Sequence, residues 1–536
     1  MAKRSQPLMP RWLIPGLLAA LITTGIALLA FISLLWNAPL GHALYWLRDP
    51  YLWHVIGFSF TQAALSTLLS VLPAILVARA LYRRRFPGRN LLLRLCAMTL
   101  VLPVLVAVFG LLSVYGHDGW LAQLAARAGI PFRFSLYGLP GILLAHVFFN
   151  LPLASRLLLQ SLEQIPAEQR QLAAQLNMQG FYLFRWLEWP WLKRQLLPVA
   201  ALIFMLCFSS FAIVLALGGG PRATTLELAI FQALSYDFDP AKAAILALLQ
   251  LAFCLLLVAL SLRLNTPLTG NSALLRHWRS VDNRWSARLT DSLIILLTLL
   301  LLVPPILAVV INGVNSHLLS SLQQTDLWLA TRTSLSIALR AGLLSVILTM
   351  MLLWSSRELR LRQKILPAQL MESSGMLILA MPGIVLASGI FMFFNSTSGI
   401  PDSPENIVVL VNALIAMPYA LKVLDTPMRD IASHYNQLCL SLDINGWQRL
   451  RLVEGPALKR PLAQALAFAC VLSVGDFGVI SLFGSDDFRT LPFYLYQQIG
   501  AYRGQQAAVS ALLLLLVCFL LFTLIEKIAG HHADAE

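Results

Sequence analysis

Charge is scarce in this chain. Only 12% of its 536 residues are Asp, Glu, Lys or Arg, about half the share of a soluble globular domain, which excludes a soluble enzyme and a nucleic-acid binder. None of the lysines follows Gly or precedes Ser or Thr, so there is no P-loop to cradle the phosphates of ATP. A His-Glu-x-x-His helix and a Gly-x-Ser-x-Gly elbow are also missing, and the nine histidines show no metal-ligand spacing. The six cysteines, Cys96, Cys207, Cys254, Cys439, Cys470 and Cys518, form neither a disulfide framework nor a Cys-x-x-Cys site, and are expected to pack as small apolar residues. No catalysis, metal or cofactor is assigned to the chain itself.

What the chain has in abundance is apolar surface. It is 58% hydrophobic, with a mean hydropathy of +0.74, and uninterrupted apolar runs recur at Leu251 to Leu262, Leu293 to Val310 and Leu512 to Leu524. Backbone polar groups in lipid must be satisfied within helices or closed barrels, and these runs lack the two-residue alternation of barrel strands. The expectation is an all-α integral membrane protein with twelve spans, at 13–35, 53–78, 92–114, 137–160, 197–217, 241–263, 290–311, 328–354, 372–395, 406–425, 463–483 and 507–527. The first is read as an uncleaved signal anchor, being too long for a signal-peptide core. With the N-terminus cytoplasmic, 30 of the 39 Lys and Arg fall on the cytoplasmic side, counting those at span ends with the adjoining loop. The positive-inside rule therefore places both termini in the cytoplasm, and the net charge of +14 reports topology, not a polyanionic ligand.

Internal repetition organises the chain. A shift of 266 residues, without a gap, pairs Pro152 with Pro418, Gln171 with Gln437, Gly180 with Gly446, Arg185 with Arg451, Glu188 with Glu454 and Pro190 with Pro456. It continues through Phe211 and Phe477, Gly218 and Gly484, Thr224 and Thr490, and Gln232 and Gln498. Matching charged, Gly and Pro residues in step requires a tandem duplication. Each copy holds six spans, an even number, so the two repeats run parallel in the membrane. The expected division is a first six-helix repeat over 1–264, a cytoplasmic connector over 265–289 and a second six-helix repeat over 290–536.

The best-matched stretch of the repeat is a long loop, 161–196 in one copy and 427–462 in the other. Each reads as a short amphipathic helix, a turn, and a second short helix ending at Pro190 or Pro456. Asn177 and Asp443 tolerate a left-handed helix end and Gly180 and Gly446 loosen the turn. Small residues, above all Ala173 and Cys439, suit close approach by a partner. Two matched knobs would thus project into the cytoplasm.

These loops resemble those of the membrane subunits of binding-protein-dependent ABC importers, whose motif is Glu-Ala-Ala, three residues, Gly, nine residues, Ile-x-Leu-Pro. Counting from Gln171, the Gly position is Asn177 and the final Pro is Pro190; counting from Gln437, they are Asp443 and Pro456. The chain departs in having Gln for Glu in both copies and Asn or Asp for Gly. Over nearly its whole length, including Ser473-Val474-Gly475-Asp476-Phe477-Gly478, it resembles the fused, double-length permeases of the iron(III) and thiamine importers. The resemblance implies a type I importer permease fold in a bacterial inner membrane, with thiamine and its phosphate esters as cargo. It also implies two partners, a periplasmic thiamine-binding protein and two copies of an ATPase subunit that itself uses ATP and Mg. The docking residues it implies are Gln171, Ala173, Ala174, Asn177, Gly180, Glu188 and Pro190, with Gln437, Cys439, Asp443, Gly446, Glu454 and Pro456. Asp476, a carboxylate inside a span, is a candidate for the path of a cationic cargo or for a structural hydrogen-bonded role. The alternative to an importer permease is an ion-coupled secondary transporter with two parallel repeats, although coupling carboxylates are few.

Overall fold

The computed structural model describes every residue except 1–11, 39–40, 42–47, 100, 132–133, 265–284, 398, 400–403, 445 and 531–536; most of the expected connector lies outside the described residues. The described chain is helical, without a strand. Among the described residues, eleven helices are long and apolar enough to cross a membrane. The span expected at 372–395 takes another form: a helix Ile365–Met376, a 3₁₀ turn Leu377–Ala380 and a second helix Gly383–Thr397 of only 15 residues. The span expected at 92–114 is split likewise, into Arg89–Met98 and Val104–Tyr115. In both, a proline (Pro103, Pro382) stands just before the second helix. It lacks the N–H to continue the first helix and disfavours helical geometry in the residue before it.

The chain forms two compact units. One contains the described residues of 44–228 and 253–315, and the other those of 1–43, 229–252 and 316–536. In the first unit, Pro50–Arg83 packs along Leu139–Glu163 and Trp189–Phe208, and Trp285–Gly313 packs on Val104–Tyr115 and Pro50–Arg83. In the second, Thr325–Leu361 packs against Glu405–His434 and Gly455–Gly475, and Ile14–Asn37 packs against Gly383–Thr397 and Thr325–Leu361. The leading helix of each repeat therefore sits in the unit built mainly from the other.

Side-chain size explains how these leading helices pack. Ile14–Asn37 buries Gly16, Ala19, Thr23, Ala27, Ala30 and Leu34 on one stripe and exposes Leu17, Leu21, Leu28 and Ile32, the pattern of a membrane helix that approaches its neighbours through small residues and presents Leu and Ile to lipid. Gly389 lies so close that a Cβ there would strike the backbone of Ala30, and Gly110 meets the backbone of Pro305 in the same way. Polar links differ between the units. Gly16 N–H donates to Ser355 Oγ at 2.9 Å and Ser355 Oγ donates to the Trp12 carbonyl at 2.9 Å, whereas Trp285–Gly313 is tied by Arg84 Nε to Asp291 Oδ2 at 2.7 Å. One feature is common to both. Ser59 Oγ accepts from the Leu226 N–H at 3.0 Å and Ser334 Oγ from the Leu491 N–H at 2.7 Å, satisfying an amide in the first turn of, or just before, the short helices Leu226–Ser235 and Leu491–Gly500.

Candidate functional site

Each loop of the repeat begins with a short helix, Ala167–Gln175 in the first copy and Asn436–Ser441 in the second. Both end on a left-handed residue, Asn177 at φ 48° and Asp443 at φ 52°, with a second positive φ three residues on, at Gly180 (59°) and Gly446 (50°). The amides of Met178 and Ile444 close these ends by donating to the carbonyls of Ala173 and Cys439, each at 2.9 Å, a bond of the kind that terminates helices at left-handed residues. The two turns are thus built alike at the expected positions.

Beyond the turn, the chain departs from the expected short helix ending at proline. From Gly180 it runs as one helix to Phe208, and from Gly446 another enters the membrane, with Pro190 and Pro456 inside them. A π-helical turn, Phe184–Glu188 or Leu450–Glu454, ends two residues before each proline. Proline cannot donate to the carbonyl one turn back and its ring crowds it; the wider π turn lets the helix continue. Each knob is therefore the end of the rod that enters the membrane.

The structure sorts the expected docking residues into two groups. Gln171, Asn177, Pro190, Gln437, Asp443 and Pro456 are exposed, and Ala174 and Gly180 are partly so. Ala173 and Cys439 are buried within the chain, at 4% and 1% exposure. Their smallness serves internal packing of the knob, which corrects the expectation that they meet a partner. Glu188, Glu454 and Gly446 are also buried. A Cβ on Gly446 would approach the Trp12 indole Nε1 to 3.0 Å, and the Arg362 guanidinium covers the same ring.

The exposed faces carry large apolar side chains that the spacing argument did not single out. Leu172, Leu176, Phe181 and Trp186 are exposed in one knob, and their equivalents at the 266-residue shift, Leu438, Leu442, Trp447 and Leu452, are exposed in the other. Basic residues stand beside both sets: Arg185, Lys193 and Arg194, and Arg451, Lys459 and Arg460 are all exposed. An exposed apolar patch rimmed by charged residues is the general mark of an interaction surface.

Behind each face the buried glutamate is held by arginines. Glu188 accepts from Arg79 Nε at 2.6 Å and Arg83 Nε at 3.4 Å; both arginines lie one turn apart at the end of Pro50–Arg83. Glu454 accepts from Arg357, on Thr325–Leu361, and from Arg449 Nε at 2.9 Å. Sequence reasoning missed all four arginines. The spacing of Arg79 and Arg83 was a usable signal for a paired helical face; nothing comparable marks Arg357.

Asp476 stands at a break in its span, between Gly455–Gly475 and Gly478–Phe483. Its Oδ2 accepts from the Val479 N–H at 3.2 Å, and the residue is only partly buried. The first copy breaks at the equivalent place, between Trp189–Phe208 and Phe211–Leu217, where Ser210 stands. The carboxylate thus satisfies a new helix start, in keeping with a structural role. Other ionisable groups in or beside spans are paired: Arg340 with Glu405, and Glu372 with Arg360 at 2.6 Å and Arg429 at 3.1 Å. Among the described residues no group of His, Cys, Asp and Glu could hold a metal ion.

Comparison with known proteins extends this picture. Residues 359–531, which include the second knob, match the family model of the binding-protein-dependent transport system inner membrane component. The chain is 65% identical over 536 residues, all of both chains, to the thiamine transport system permease protein ThiP of Escherichia coli (strain K12). It is 66% identical, again over the full length of both, to the ThiP of Salmonella typhimurium, and 44% identical over 528 residues, 96% of each chain, to that of Haemophilus influenzae.

Proposed function

The chain belongs to the ThiP family of binding-protein-dependent transport permeases, and from that premise we propose that it is the membrane subunit of an ATP-driven importer that carries thiamine and its phosphate esters from periplasm to cytoplasm. Its knobs and both termini face the cytoplasm. A periplasmic thiamine-binding protein delivers cargo, and two identical ATPase subunits, which use ATP and Mg, each grip one knob. The observation that carries this reading is the apolar set exposed twice at one spacing, Leu172, Leu176, Phe181 and Trp186 against Leu438, Leu442, Trp447 and Leu452. Two like faces on one chain suit two copies of one partner.

Mechanically, the helices that carry the knobs are continuous into the membrane, and both break again at Ser210 and Asp476. Displacement of the knobs on ATP binding would move those rods as levers, alternating access between the two sides. The bias comes from the difference in contact between the knobs and the two states of the ATPase. Thiamine as cargo follows the names of the relatives, and Asp476 is a candidate wall of its path.

The test replaces Leu176 and Leu442, both exposed, with Glu. With the chain at normal level in the membrane, the double variant should lose ATPase copurification and binding-protein-stimulated ATP hydrolysis, and each single variant should lose part of both. Intact copurification in the double variant would remove the knobs as docking faces. Thiamine uptake that persists without any ATPase would favour the ion-coupled alternative. Native mass measurement of the complex should give one copy of this chain with two ATPases.

A further inference from the structure

The glutamates of the knobs are buried, and a carboxylate closed off from water is costly unless its charge is matched. Glu188 is 1% exposed and Glu454 is fully buried. Both are the last residue of a π-helical turn, immediately before the helix that enters the membrane. Their cations come from different places. Glu188 is held by Arg79 and Arg83, both on Pro50–Arg83, with Arg79 on Oε2 and Arg83 reaching Oε1. The Arg79 guanidinium also lies 4.1 Å over the Phe184 ring, at the start of the same π turn. Glu454 is held by Arg357 from Thr325–Leu361 and by Arg449 from the knob itself. Arg449 is fixed locally, donating to Asn436 Oδ1 at 3.1 Å and to the Ala432 carbonyl at 2.8 Å. Among the described residues a single guanidinium, that of Arg357, therefore links this carboxylate to Thr325–Leu361, and it is steadied by Glu358 at 2.5 Å.

We propose that these two carboxylate–arginine joints transmit knob displacement to a second membrane helix: Glu188 through Arg79 and Arg83 to Pro50–Arg83, and Glu454 through Arg357 to Thr325–Leu361. The glutamates and arginines are positioning residues. The knob's own helix moves with it by continuity; the neighbouring helix already packs along it, and each joint adds a fixed, buried polar coupling at the π turn where the rod changes pitch. The first joint has two cations on its membrane helix and tolerates loss of one; the second has one and does not.

This inference rests on the importer reading, and the experiment separates the two. The complete complex is reconstituted in lipid vesicles with its ATPase and loaded binding protein, and thiamine delivered per ATP hydrolysed is measured beside membrane level and ATPase copurification. Glu188→Gln and Glu454→Gln should keep level and copurification and lower delivery per ATP by about tenfold, the weight of one charged buried hydrogen bond. Arg357→Gln alone should match Glu454→Gln, whereas Arg79→Gln and Arg83→Gln should match Glu188→Gln only in combination. The swap of Arg79→Glu with Glu188→Arg should recover part of the loss, and Glu188→Asp, which keeps the charge, should fall between wild type and Gln. Unchanged delivery per ATP in both Gln variants would overturn the proposal. So would a fall in uptake that only follows loss of the chain from the membrane, in the Gln and Asp variants alike. Failure of the unaltered chain to bind any ATPase would instead overturn the importer reading beneath it.

Discussion

The two copies of the repeat keep the same buried glutamate, 266 residues apart, but neutralise it with arginines from positions that do not correspond. In the unit of 44–228 and 253–315, both cations come from one membrane helix and both carboxylate oxygens are used. In the other unit, one cation comes from the knob, and Glu454 Oε2 and Arg357 Nε have no hydrogen-bond partner among the described residues. The difference teaches that the fold requires the acceptor at this point of the rod, while the source of the positive charge is free to move, because Coulomb attraction in a buried site depends on distance and burial more than on which helix supplies it. The same holds for the leading helices. Their glycine contacts are alike, and their polar ties are of different chemistry.

The largest test of that comparison lies where the units agree. Gly110→Leu and Gly389→Leu should each cost several kcal/mol, through clash with backbone that has nowhere to go, seen as a large fall in the yield and melting temperature of the purified chain. A loss confined to one of the two would break the likeness of the leading-helix contacts. Next come the unlike ties. Asp291→Asn should destabilise by about 1.5–3 kcal/mol as a charge-assisted buried bond is weakened, and Ser355→Ala by about 1–2 kcal/mol as two neutral bonds are lost; thermal unfolding in detergent ranks them, and the reverse order would deny the charged tie its greater weight.

Smaller effects sharpen the comparison at the knobs. Trp12→Ala should remove a ring from beside Gly446 and beneath Arg362, worth about 0.5–1 kcal/mol for the cation–π contact. It should speed labelling of a reporter cysteine in the second knob and leave one in the first unchanged. Smallest of all, Asn177→Gly and Asp443→Gly should each stabilise by a few tenths of a kcal/mol, since glycine adopts the left-handed conformation without the Cβ penalty. Equal gains in melting temperature are expected, because the two turns share one backbone conformation.

Much of the architecture is legible in the residues. Apolar runs locate the helices, and the repeat locates the knobs because Gly, Pro and charged residues cannot fall into step by chance. Asn177 and Asp443 stand where a helix must end on the left-handed side. Other features are not legible, for physical reasons. Whether Ala173 faces inward or outward depends on which neighbour covers it, and small side chains suit both. Pro190 reads as a helix stop unless the π turn that absorbs it is known. Asp476 reads as a mid-span charge until the helix is seen to restart beside it. The exchanged leading helices leave no local mark, since a stripe of Gly and Ala specifies close packing without naming the partner.

That exchange has a consequence for biosynthesis. Ile14–Asn37 leaves the ribosome first, yet the serine that accepts its Gly16 amide lies 339 residues later in the chain. Until then the helix is held by the bilayer, with its small-residue stripe unmatched, and translation of the second repeat completes its docking. Trp285–Gly313, by contrast, emerges when Val104–Tyr115 and Pro50–Arg83 are already in place. A ribosome stalled after the first repeat would therefore leave the earliest helix of the chain without the neighbours it packs against, open to membrane quality control, while the body of the first unit still waits for its last helix.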